Sequence, residues 1–123
     1  MQGPKHLNFL KIHFPLTAWV SIAHRASGFL LFLLIPGFLW VLERSLSGVA
    51  YFQQLKASCT HPVWGTMLCL ALTALVYHIL AGLRHLFMDL HIGSSKSASR
   101  RSAQVVLMLS FLGFFYMVGR FLC

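Results

Sequence analysis

The chain has 123 residues, 58% of them hydrophobic, with a mean hydropathy of +0.74 and only ten Lys or Arg and two Asp or Glu. A soluble domain cannot hide that much apolar surface, so the composition indicates a small integral membrane protein too short to carry a separate soluble enzyme. The formal charge of +8 does not make it a nucleic-acid binder, because the basic residues flank apolar spans and form no continuous stripe.

Residues 1–15 form a mildly basic lead with Lys5, His6, Lys11 and His13. Pro4 and Pro15 discourage one continuous helix there, although Pro15 suits a first helical turn, and the lead is expected along the membrane surface. The first span ends at Leu42, before Glu43-Arg44. Phe29 to Leu42 alone would reach only about 21 Å, too short for the hydrocarbon, so the membrane also takes in part of Ala18 to Gly28. That sets Ser21, His24 and Arg25 at one boundary. Ser21, Arg25 and Gly28 share a helical face, with His24 beside it. A hydroxyl and a guanidinium converging there can donate to a carbonyl oxygen or a carboxylate. An Arg near a helix end also commonly snorkels to lipid phosphates, and the residues alone leave both readings open. Pro36 inside the span is expected to kink it. A cleaved signal peptide is the rival for this segment, but the stretch before Phe29 is too long for an ordinary leading region.

Glu43 to Pro62 reads as a polar connection with a short surface helix and His61 as an exposed loop histidine. The second span, Val63 to Leu83, makes about 31 Å of helix and ends in His78-Ile79-Leu80-Ala81-Gly82-Leu83-Arg84-His85-Leu86-Phe87-Met88-Asp89. Ala74, His78, Ala81, Gly82, His85 and Asp89 form one stripe of small and polar residues. A histidine inside a membrane is costly and usually has a partner or ligand. Gly82, one turn from His78, clears the surface for a bulky planar group, which suits axial ligation of haem iron. Equally, His78 could hydrogen-bond across a helix pair while Gly82 permits close packing. Leu90 to Ser102 reads as a loop rich in Ser and basic residues. The third span, from about Ala103 to Gly119, has no histidine or acid and reads as packing material. Cys59, Cys69 and Cys123 lack metal-type spacing.

The expected fold is all-α: one domain over residues 1–123, with three transmembrane helices near 18–42, 63–89 and 103–120. With the amino terminus inside, Lys5, Lys11, Arg25, Arg84, Lys96, Arg100 and Arg101 lie inside, against Arg44, Lys56 and Arg120 outside, which favours that orientation. Both polar clusters then lie on the inner side, with His78 about 9 Å deeper than Arg84.

Taken together, Ser21-Ile22-Ala23-His24-Arg25-Ala26-Ser27-Gly28 and His78-x-x-x-Gly82-Leu83-Arg84-His85-Leu86-x-Met88-Asp89 resemble the cytochrome b subunit of succinate dehydrogenase, the larger of its two membrane anchors. The resemblance covers nearly the whole chain. It implies half of a helical bundle completed by a second anchor subunit, with partners that also include an iron–sulfur subunit, a flavoprotein subunit and membrane lipid. It implies haem b, shared with the second anchor, and quinone as substrate. It assigns His78 as an axial ligand of the haem iron, Ser21 and Arg25 to the quinone pocket, His24 and Arg25 to haem propionate contacts, and His85 to either a propionate contact or a structural role. Asp89 would orient His85 or pair with Arg84. The chain would be a non-flavin subunit of an enzyme, inactive alone, in a bacterial-type cytoplasmic membrane with its amino terminus on the cytoplasmic side. Two positions depart from the family pattern: Gly3-Pro4 where Arg-Pro is common, and His91 where a small residue is usual. The alternatives are a fumarate reductase anchor and a haem-free scaffold or transporter subunit.

Overall fold

The computed structural model describes residues 15–121, so the expected surface position of the amino-terminal lead, including Gly3-Pro4, lies outside the described residues. Within them the chain forms four helices: α1 Leu16–Leu46, α2 Val49–Ser58, α3 Pro62–Asp89 and α4 Lys96–Phe121. Three of these, α1, α3 and α4, are long and apolar enough to cross a membrane, whereas α2 is short. The polar connection thus holds the short helix that was expected.

Local chemistry sets the ends. The Pro15 carbonyl accepts from the Ala18 and Trp19 amides at 3.0 and 3.3 Å, opening α1. α1 continues through Pro36, whose missing N–H deprives the Phe32 carbonyl of its usual donor. His61 is exposed as expected, but it is not idle. Its Nδ1 accepts from the Val63 amide at 3.3 Å, with Pro62 in the first turn, and so caps α3. α3 closes with the Ile92 amide donating to the Phe87 carbonyl and the His91 amide to that of Met88, at 2.9 and 3.0 Å. This is the paired closure that needs a left-handed residue just past the helix, and His91 supplies it at φ 59°. A side chain in that left-handed conformation is strained.

The stretch Lys96–Ser102, read from sequence as loop, is the opening of α4. The Ser95 hydroxyl accepts from the Ala98 amide at 3.3 Å and its carbonyl from the Ser99 amide at 2.8 Å. This serine cap turns a basic, serine-rich run into nearly two turns of helix.

The amino-terminal half of α1 packs on the carboxy-terminal half of α3, which packs in turn on the amino-terminal half of α4. Neighbouring long helices are therefore antiparallel, as short connections require. The shared core lies at this end: Val20, Tyr77, Ala81, Ala103 and Val106. Ala81 and Ala103 are fully buried, and such small side chains let helices approach closely where lipid gives no hydrophobic drive. Thr66, Thr73 and Ser110 bond back to carbonyls of their own helices, the usual way to satisfy a hydroxyl in hydrocarbon. Most large apolar side chains of α1 beyond Phe29 face outward, as expected of a helix apolar on all sides.

Candidate functional site

Two helices of this end carry the same short pattern. α1 has His24 four residues before Gly28, and α3 has His78 four residues before Gly82. Because the helices run antiparallel, each histidine meets the other's glycine. A Cβ on Gly28 would stand 2.8 Å from His78 Cε1, and one on Gly82 would stand 3.3 Å from His24 Nε2. The surface cleared by Gly82, expected from sequence to admit a planar group, is thus occupied by the imidazole of His24. Gly28 is the more demanding of the two, since no real Cβ sits at 2.8 Å from a ring carbon.

The two imidazoles stack, with centroids 4.3 Å apart and planes 10° from parallel. His85, two turns below His78, brings its ring to 5.1 Å from that of His24. All three rings are half-buried. The structure therefore brings His24 together with His78 and His85 of the second motif, His78 lying 54 residues further along the chain. It does not link Ser21 or Arg25 to these rings: no hydrogen bond or ring contact does so among the described residues, where Ser21 is half-buried and Arg25 exposed.

Ser27 carried no individual role in the sequence, yet it is central here. It lies on the face of Val20 and His24, at the spacing i, i+4, i+7, and is buried. Its hydroxyl donates to the His24 carbonyl at 2.7 Å, and its oxygen lies 3.0 Å from His78 Nδ1. The same Nδ1 is 3.2 Å from the His24 carbonyl oxygen. A carbonyl only accepts, and the serine proton is already directed to that carbonyl. Nδ1 of His78 must therefore carry hydrogen, donating to both oxygens. Nε2 of His78 makes no hydrogen bond among the described residues, and in the neutral ring with hydrogen on Nδ1 it carries the lone pair. The spacing of Ser27 from His24 was the available signal. It was masked because a helical serine three residues after another position usually bonds only within its own helix.

Arg84 and Asp89 belong to a different arrangement. Arg84 is buried and turns to α4, donating to the Ser99 carbonyl at 3.3 Å, the Ser99 hydroxyl at 3.1 Å and the Ser102 hydroxyl at 3.0 Å. It does not pair with Asp89, which is exposed. Tyr77 closes the α1–α3 contact by donating to the Val20 carbonyl at 2.7 Å.

Chemically, the cluster offers the imidazole of His78 with one nitrogen held and the other without a hydrogen bond among the described residues. Among the described residues no three His, Cys, Asp or Glu side chains are grouped to hold a metal ion. The family model for the succinate dehydrogenase/fumarate reductase transmembrane subunit matches residues 1–117. A protein of Coxiella burnetii named succinate dehydrogenase cytochrome b556 subunit is 38% identical over 110 residues, covering 89% of this chain and 88% of the relative. With three membrane-length helices and both motifs meeting at one end, this chain belongs to the family of succinate dehydrogenase/fumarate reductase transmembrane subunits and is part of an oxidoreductase complex.

Proposed function

We propose that this chain is the haem b-bearing anchor of a succinate:quinone oxidoreductase. A second hydrophobic subunit completes its bundle, and a flavoprotein and an iron–sulfur subunit dock on the same side as its histidines. The observation that carries this reading is the stacked pair His24–His78 at 4.3 Å, seated over Gly28 and Gly82, with His78 Nδ1 engaged by Ser27 and the His24 carbonyl. The cytochrome b556 name of the Coxiella burnetii relative supports it.

The residues fit a haem. A histidine that ligates a metal commonly donates its other ring N–H to a carbonyl or similar acceptor, and His78 does so. When bound, the haem supplies one-electron transfer. His78 would hold the haem iron through Nε2, with a further ligand supplied by the second anchor subunit. His24, His85 and Arg25 would hold the propionates, the imidazoles as hydrogen-bond donors and the guanidinium as a cation. Ser21 and Arg25, at the same end of α1, receive the quinone. The Ser21 hydroxyl donates to a ring carbonyl, and Arg25 stabilises negative charge as the ring is reduced, where a low-dielectric setting strengthens its effect. The chain sits in a bacterial-type cytoplasmic membrane with its amino terminus on the cytoplasmic side, which the distribution of Lys and Arg supports.

The test is to solubilise the assembly in mild detergent and record a dithionite-reduced minus oxidised spectrum and succinate:quinone reductase activity. A b-type spectrum, with activity that Arg25→Ala lowers by about a hundredfold, is the expected result. A colourless, intact assembly would refute the haem assignment. Unchanged activity in Arg25→Ala would return that arginine to a lipid-facing role.

A further inference from the structure

Among the described residues, Ser27 is the one buried hydroxyl that joins the backbone of α1 to the ring of His78. A serine needed only for its own helix would bond back to its carbonyl and stop there, as Thr73 and Ser110 do. Ser27 does this and also presents its oxygen lone pairs to Nδ1 of His78. An N–H held by an acceptor makes an imidazole a stronger electron donor through its other nitrogen. A stronger donor favours ferric over ferrous iron and so lowers the midpoint potential.

We propose that Ser27 is a positioning residue that holds His78 as its Nδ1–H tautomer and, through that bond, sets the midpoint potential of the haem. It acts with the His24 carbonyl, and it touches neither the iron nor the quinone. The proposal rests on the reading of His78 as axial ligand. Its geometric basis is a three-membered arrangement, with Ser27 Oγ, the His24 oxygen and His78 Nδ1 all within 3.2 Å of one another. Ser27 thereby links the quinone-side helix to the ligand, so the backbone of one motif helps set the redox poise of the other.

The experiment uses the intact assembly carrying Ser27→Ala or Ser27→Thr, followed by redox titration and low-temperature EPR of the low-spin haem. Ser27→Ala should retain the haem and raise its midpoint. The expected shift corresponds to about a tenfold change in relative ferric and ferrous affinity, which is about 59 mV for one electron. Ser27→Thr, which keeps the hydroxyl, should return toward the parent. A purely structural serine would alter haem content or stability without moving the potential of the haem that remains. Parent-like potential and g values in Ser27→Ala, or an equal shift in Ser27→Thr, would overturn the proposal.

Solid-state NMR of the assembly prepared with haem synthesis limited, using ¹⁵N-labelled histidine, reads the tautomer without iron. Hydrogen on Nδ1 of His78 is expected in the parent, and in Ser27→Ala, where only the His24 carbonyl still accepts, the Nδ1 resonance is expected to shift to that of a weaker hydrogen bond. Hydrogen on Nε2 in the parent would refute the proposal. The underlying ligand reading fails by a separate result, a low-spin haem signal that survives His78→Leu.

Discussion

α3 presents polar side chains to two neighbours and treats them differently. Toward α4, Arg84 is buried with every hydrogen bond directed to Ser99 and Ser102. Toward α1, His78 has one ring nitrogen held by two oxygens while the other has no hydrogen-bond partner among the described residues. Both are expensive residues for a membrane span. The arginine is matched by its surroundings and acts as a fastener between helices. The histidine is oriented by its surroundings but not consumed by them, which is the condition a ligand must meet. Polar residues in a membrane bundle are thus sorted by what they still have to offer after the protein's own bonds are made.

The sharpest way to break this contrast is at Gly28. Its added Cβ would stand 2.8 Å from His78 Cε1, so Gly28→Ala must displace the ring. Overpacking of this kind costs about 1–3 kcal/mol, and haem content should fall by about tenfold to a hundredfold while the anchor still enters the membrane. Haem content equal to the parent would mean that the stacked geometry is not the binding geometry.

Arg84→Met should do the reverse. Losing hydrogen bonds from a buried charge costs about 1.5–3 kcal/mol, seen as earlier unfolding in a denaturing-detergent titration. The spectrum of the haem that remains should match the parent. A shifted spectrum would show that the two faces are coupled and not separate.

Gly82→Ala sharpens the comparison within the site. Its Cβ would meet His24 Nε2 at 3.3 Å, a contact the ring can relieve by a shift of a few tenths of an ångström. Haem should be retained with an affinity lowered by about two- to fivefold, a cost below about 1 kcal/mol. An effect as large as that of Gly28→Ala would make the two glycines equivalent, contrary to the geometry.

The smallest effect is expected for Tyr77→Phe, which removes the bond to the Val20 carbonyl. Interhelical hydrogen bonds in membranes average about 0.6 kcal/mol, so the same titration should shift slightly and the haem not at all.

How much of this was legible beforehand differs by residue. The three long helices followed from apolar runs bounded by charge, a signal set by the thickness of hydrocarbon. His78 stood out because an imidazole in a span demands a reason, whereas His24 and His85 gained their roles from the resemblance of their motifs. Their mutual stacking was not legible, because it depends on the crossing of α1 and α3, and helical periodicity describes only one helix at a time. The same limit hid the destination of Arg84: as a charge near a helix end it read as a boundary marker, and only the α4 packing buries it. Gly82 was recognised as a cleared surface, but what fills it is a side chain from another helix. The start of α4 was missed for a local reason, since a serine-rich basic run resembles a loop until the Ser95 cap is weighed.

The most direct measurement is the EPR and optical spectrum of haem in the purified assembly carrying His78→Leu. Loss of the low-spin b-type signal, with the assembly still intact, is the outcome expected if His78 Nε2 binds the iron. A signal of parent position and intensity would contradict it.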